Sequence, residues 1–190
     1  EEQIRTKDFI TLRILEALTT GKTGQLILVT GEAGSGKTVL MSSLFYELNQ
    51  LSKEDPDNLI FKDTKNFLLV NHEQQLKVYQ QIATKLGIYS KKQPDLVAKP
   101  TPFINNHGPT DKVDVVIVDE AHLLWTQGKQ SYRGKNQLYD LLERAKVVVA
   151  VFDQNQVLST QQYWEYEELL NLQHEAQLNG NLMYLSNQMR

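Results

Sequence analysis

Gly31-Glu-Ala-Gly-Ser-Gly-Lys-Thr38 lies between the apolar run Gln25-Leu-Ile-Leu-Val-Thr30 and an amphipathic stretch that begins at Val39. The spacing is Gly, four residues, then Gly-Lys-Thr. It lets the backbone N–H groups of Gly34, Ser35, Gly36 and Lys37 converge on an anion, with glycines where a Cβ would obstruct a phosphate. In this pattern Lys37 reaches the β- and γ-phosphates and Thr38 can ligate Mg²⁺ through its hydroxyl. A helix after the loop adds its N-terminal partial positive charge and unpaired N–H groups. A glycine-rich turn can arise by chance, but here a strand pattern precedes it and a helix pattern follows. The ligands expected are ATP and Mg²⁺.

Working outward, the 190 residues are enough for one sizeable core, and the length favours a single domain over residues 1–190. Acidic residues number 23 against 20 basic ones, so no overall field draws the chain to nucleic acid or to an anionic membrane. The sequence has no cysteine, which excludes a disulfide framework and thiolate metal sites. No apolar run approaches membrane-spanning length and no signal peptide is visible, so no membrane partner is expected and the expected compartment is the cytoplasm. The chain opens at Glu1 without methionine and ends at Arg190, which suggests an excised piece of a longer protein.

Hydrophobic periodicity gives the order of elements. Phe9, Leu12, Leu15 and Leu18 mark a helix within 1–18, and Leu40, Met41, Leu44, Phe45 and Leu48 mark a second after the loop. Asn66 to Val70 reads as a buried strand. Glu73 to Leu86 reads as a helix with Gly87 as its stop. Ser90 to Lys112, with four prolines among polar residues, breaks the pattern and is expected to be a long irregular insertion, functional or mobile. Val113 to Val118 and Lys146 to Phe152 are apolar enough to be buried on both faces. A short helix around Leu138 to Leu142, a helix within 160–178 and a last strand near 181–185 complete the chain. Strands alternating with helices predict an α/β fold, a mostly parallel sheet covered on both sides.

Val115-Val-Ile-Val118 runs directly into Asp119-Glu120-Ala121-His122, which puts two carboxylates at the carboxyl edge of a buried strand, where open α/β sheets bind ligands. Asp119 is placed to hold Mg²⁺ opposite Thr38, and Glu120 to orient and deprotonate a water that attacks the γ-phosphate. A divalent cation resolves the repulsion between adjacent carboxylates. His122 has no second histidine or cysteine at zinc-ligand spacing, so a hydrogen-bonding or packing role is expected. A third strand edge carries Phe152-Asp-Gln-Asn-Gln156, where Gln156 could sense the γ-phosphate or the attacking water. Leu185-Ser-Asn-Gln-Met-Arg190 ends in a guanidinium that could neutralise transition-state charge.

These four stations, GEAGSGKT, VIVDEAH, FDQNQ and LSNQMR, together resemble the first RecA-like half of a superfamily one DNA/RNA helicase. The other helicase superfamily with a DEAH box normally continues with Ser-Ala-Thr, whereas Asp153-x-x-Gln156 is similar to the Gly-Asp-x-x-Gln of superfamily one, with Phe152 in place of the glycine. The resemblance implies a P-loop NTPase of three α/β/α layers, in which Asp153 belongs to the nucleotide site and Arg190 contacts the γ-phosphate. In finer detail the chain resembles the bacterial Schlafen group-three-like helicase domain family from Leu26 to Arg190. The segments that carry this are Phe67-Leu-Leu-Val-Asn-His72 with Val78-Tyr79, Lys99-Pro-Thr-Pro-Phe-Ile-Asn105, and Val118 through Trp125. By analogy Asn71-His72 and Thr101-Pro-Phe103 would lie where such proteins meet a single strand. A counterpart of the helicase adenine-reading glutamine at Gln3 stands farther from the loop than usual and is left unassigned.

The resemblance implies an ATPase that drives a helicase or translocase on single-stranded DNA or RNA. The chain stops before the second RecA-like domain, which in such helicases supplies further motifs, and the whole protein could also carry a nuclease module. Trp125, Lys129, Tyr132, Arg133 and Lys135 form a modest basic and aromatic cluster that reads more simply as a solvated loop. The alternative reading is a switch ATPase that gates a protein partner or nuclease without moving along a strand. A nucleotide-binding module without catalysis fits less well, because Glu120 is present.

Overall fold

A computed structural model of the chain describes residues 2–31, 36–54, 60–126, 137–153, 155 and 163–185. Helix α1 (Glu2–Thr20) leads into β1 (Gln25–Gly31), α2 (Lys37–Lys53), β2 (Asn66–Val70) and α3 (Glu73–Lys85). A 3₁₀ turn (Pro94–Leu96), β3 (Val97–Ala98) and α4 (Pro100–Asn106) follow, then β4 (Val113–Asp119) and α5 (Leu123–Thr126). The last elements are α6 (Gln137–Arg144), β5 (Ala145–Phe152), α7 (Tyr163–Leu178) and β6 (Leu182–Leu185).

The six strands form one sheet in the order β3-β2-β4-β5-β1-β6, and each recorded pairing is parallel. Parallel neighbours need crossovers, and the crossover helices cover both faces, which explains why these strands are apolar at nearly every position. Alternation along each strand sorts the core into two layers. Ile27, Val29, Val115, Ile117, Val147, Val149 and Val151 pack under α1, α2 and α3. Leu28, Val116, Val118, Val148 and Ala150 pack on the opposite face with residues of α4, α5, α6 and α7. Full burial of each Val, Leu or Ile side chain contributes roughly 1.5–3 kcal/mol, so the central strands are the most strongly held part of the fold. The expected α/β sandwich with a parallel sheet is therefore the observed fold. Among the described residues no helix is long and apolar enough to cross a membrane.

The segment expected to be an irregular insertion, 90–112, is instead built of the 3₁₀ turn, β3 and α4. Its prolines misled the reading, because Pro94 and Pro100 stand in first turns, where a missing N–H leaves no bond unmade. β3 extends the sheet edge beside β2, with Leu68 opposite Val97. Phe103 of α4 is fully buried, its ring 5.0 Å from that of Phe67 and stacked at 4.3 Å on His107. His107 is tied in turn to Asp95 at 2.7 Å, and its carbonyl accepts from Arg144 Nε. Phe103 is a core residue, with no ring face left to stack on a base.

Helix α3 ends where the sequence indicated. Gly87 adopts φ 73, its N–H bonds to the Thr84 carbonyl and that of Ile88 to Ala83, the paired bonds of a Schellman stop. At the other end the His72 side chain accepts the Gln75 N–H and caps the helix.

Candidate nucleotide site

The register brings the carboxyl ends of the strands level. Thr30 pairs with Phe152 and Val70 with Asp119, so the chain leaves β1, β2, β4 and β5 along one edge. On that edge stand Gly31, Gly36, Lys37 and Thr38 after β1, Asp119 and Glu120 at the end of β4, and Asp153 after β5. Gly34, Ser35, Gln156 and Arg190 lie outside the described residues, as do the side chains of Gln3 and Trp125 and residues Lys129, Tyr132, Arg133 and Lys135.

Gly36 precedes α2 at φ 80 and ψ 25, a left-handed conformation in which an L side chain is strained. Its carbonyl accepts the Leu40 N–H at 3.0 Å and starts the helix. No side chain caps this end through Gly36, and the first turn carries no acidic residue. A helix start of this kind, with first-turn N–H groups that the helix itself cannot satisfy, suits an anion.

Asp119 is buried, with 3% of its surface exposed, and both of its oxygens are held. Oδ1 accepts the Glu120 N–H at 2.8 Å and Oδ2 accepts the Tyr79 hydroxyl at 2.6 Å. Glu120 then turns to φ 51, a left-handed conformation uncommon for a non-glycine residue. The next N–H, of Ala121, bonds to the Val151 carbonyl of β5 at 2.9 Å and ties this turn to the sheet. The Thr38 hydroxyl accepts from Gln75 Nε2 at 2.8 Å. Asp153, also buried, accepts the Asn155 N–H at 2.9 Å, which keeps its carboxylate at the mouth of β5.

Among the described residues, the carboxylates of Asp119, Glu120 and Asp153 share this edge with the Lys37 ammonium. Burial raises the Glu120 pKa, and Asp119 and Asp153 raise it further, against the pull of Lys37 and His72. Burial and the Lys37 charge lower the pKa of His122, which favours the neutral imidazole. His122 Nε2 stands 3.4 Å from Glu120 Oε2. Among the described residues, no group of three histidine, cysteine or acidic side chains forms a cage for a metal ion. Mg²⁺ does not need one, since it ordinarily takes one or two protein oxygens and completes its shell with phosphate and water. The hydroxyl of Thr38 and the carboxylate of Asp119 are donors of that hard type, and neighbouring carboxylates leave room for a cation's charge, so these residues fit Mg²⁺ carried by a nucleotide.

The raised Glu120 pKa has a consequence for stability. A carboxyl group whose folded pKa lies above its unfolded one stabilises the fold when protonated, and that contribution is lost as pH rises through the folded pKa. Glutamine stays neutral throughout. Without nucleotide, Glu120→Gln should therefore melt at a higher temperature than the wild type near pH 7. The gap should shrink as pH falls below the carboxylate range. Melting curves across pH check it, and a gap that grows on acidification contradicts the electrostatic picture.

Sequence reasoning gave Gln75 and Tyr79 no role at this site, although Val78-Tyr79 carried part of the family resemblance. Nothing in their local pattern separates them from other residues of an amphipathic helix, and their contacts to Thr38 and Asp119 span 37 and 40 positions.

The family model described as Schlafen group 3, DNA/RNA helicase domain matches residues 24–190. An uncharacterized protein of Saccharomyces cerevisiae, YPL245W, is 40% identical over 145 residues, which is 74% of this chain and 31% of that protein. This relative is eukaryotic. Among solved structures, the Hef helicase domain of Pyrococcus furiosus superposes with a TM-score of 0.51 at 15% identity, covering 96% of this chain and 38% of that one. At that identity the likeness establishes the fold. The chain spans about a third of the length of both relatives.

Proposed function

The chain belongs to the Schlafen group 3 DNA/RNA helicase domain family, and on that premise we propose that it is the ATP-binding and ATP-hydrolysing motor domain of a superfamily one-like helicase or translocase. The observation that carries this reading is the meeting, on one sheet edge, of Lys37, Thr38, Asp119, Glu120 and Asp153 from three separate strand ends. Lys37 offers its ammonium to the outer phosphates, and the first turn of α2 offers its N–H groups. Thr38 and Asp119 would hold Mg²⁺, whose charge draws electron density from the transferred phosphoryl group. Glu120, its carboxylate kept basic by burial and by Asp119, orients a water and takes its proton. Gln156 and Arg190 would complete the site from the γ-phosphate side.

The test is steady-state ATP turnover by the natural full-length protein with and without single-stranded DNA or RNA. We expect turnover to rise about tenfold or more on saturation with nucleic acid, by closure of the site around ATP. A flat response over a wide concentration range sinks the motor reading.

One observation favours the alternative, a switch ATPase that acts on a protein partner or nuclease. Phe103, which the family analogy put beside a nucleic-acid strand, is wholly inside the core. Nucleotide-dependent partner capture or oligomerisation without stimulation by nucleic acid would decide for the switch.

A further inference from the structure

The two candidate Mg²⁺ donors come from different crossovers, Thr38 from the start of α2 and Asp119 from the end of β4, yet one helix touches both. Gln75 and Tyr79 are separated by one turn of α3 and so project from the same face. Gln75 Nε2 donates to Thr38 Oγ1 at 2.8 Å, and the Tyr79 hydroxyl donates to Asp119 Oδ2 at 2.6 Å. These two bonds tie each donor to one face of the same helix.

We propose that Gln75 and Tyr79 are positioning residues that hold the Thr38 hydroxyl and the Asp119 carboxylate ready for a Mg²⁺–nucleotide complex. This rests on the nucleotide-site reading above and adds to it a source of order for the metal donors. A hydroxyl that accepts the Gln75 N–H on one lone pair keeps the other for a cation. The short bond from Tyr79 is of the charge-assisted kind. With the Glu120 N–H on the other oxygen, it fixes the carboxylate plane from both sides, and among the described residues each of these bonds uses one lone pair of its oxygen.

The helix itself is held firmly enough to act as a ruler. His72 caps its first turn and Lys99 Nζ meets Glu73 at 2.6 Å. Gln80 Nε2 bonds to the Val97 carbonyl at 2.9 Å, and the Gly87 stop closes the far end. Tyr79 is 1% exposed, so its ring is locked in the core and its hydroxyl has little freedom to leave Asp119. Partners that orient metal ligands from behind typically carry 10–100-fold in metal affinity.

The experiment uses the full-length protein and a fluorescent ATP analogue, titrated with Mg²⁺ and, separately, in EDTA. Tyr79→Phe keeps the buried ring and removes only the hydroxyl; Gln75→Ala removes the second contact. Each variant should need about tenfold more Mg²⁺ for half-maximal Mg²⁺-dependent binding, with affinity in EDTA within about twofold of wild type. An unchanged Mg²⁺ midpoint in both variants overturns the proposal, and so does an equal loss with and without Mg²⁺, which marks a merely structural role. A wild-type protein that shows no Mg²⁺-dependent binding at all removes the site reading, and this inference with it.

Discussion

Lys37→Ala is expected to weaken ATP binding by two to four orders of magnitude while leaving the fold intact. The ammonium would donate to two phosphate oxygens. Each charge-assisted hydrogen bond of this type contributes about 1.5–3 kcal/mol, and together they convert to roughly 100- to 10,000-fold in dissociation constant. The loss cannot be made good locally, because the structure places the Lys37 charge among Glu120, His122 and the neighbouring carboxylates, where it is the cation acting on both Glu120 and His122. Removing it leaves the incoming phosphates to face Asp119, Glu120 and Asp153 with less compensation. Lys37→Arg should recover little of the affinity, since a planar guanidinium is a poor substitute for a compact ammonium on a flexible stem. Equilibrium titration of the full-length protein with a fluorescent ATP analogue measures the effect, and circular dichroism confirms the fold. Binding within threefold of wild type in Lys37→Ala would refute the assignment of the phosphate site.

What made the site legible was contiguity. GEAGSGKT and VIVDEAH each compress a strand, its end and its chemistry into a few adjacent positions, so a linear reading locates Lys37, Thr38, Asp119 and Glu120 without knowing how the sheet is ordered. The sheet order added what no local pattern holds. β5 lies between β1 and β4, which is why Asp153 joins the same edge and why the Ala121 N–H can reach Val151. Where proline and an aromatic ring fell together, at Pro100 and Phe103, composition suggested an exposed connection. The structure spends those prolines on first turns and buries the ring against Phe67. The contacts of Gln75 and Tyr79 were not legible for the opposite reason: their surroundings look ordinary, and the contacts depend on helix α3 lying across two distant strand ends.

Glu120→Gln should separate binding from chemistry, and the separation follows from how the turn is built. The backbone of Glu120 is fixed at φ 51 by bonds on either side, from its own N–H to Asp119 Oδ1 and from the Ala121 N–H to Val151. Neither bond involves the Glu120 side chain, so an isosteric amide leaves the Asp119 carboxylate and the cradle at Lys37 and Thr38 where they are. Removing one negative charge from a cleft already rich in carboxylates opposes nucleotide entry less, if it changes it at all. The dissociation constant for ATP should therefore stay within about threefold of wild type or tighten. Turnover is a different matter, because an amide accepts no proton at neutral pH, and loss of a positioned general base typically lowers rate by 10²–10⁴-fold, which is about 3–5 kcal/mol in the barrier. We expect a fall in kcat of about a thousandfold in the nucleic-acid-stimulated reaction. His122 does not substitute, since its pKa is lowered by burial and by Lys37, and a less basic imidazole is a poorer acceptor. Parallel binding and turnover measurements on the same preparation decide the case: equal losses in both would place Glu120 in the fold or the binding site, while a loss confined to kcat identifies it as the base.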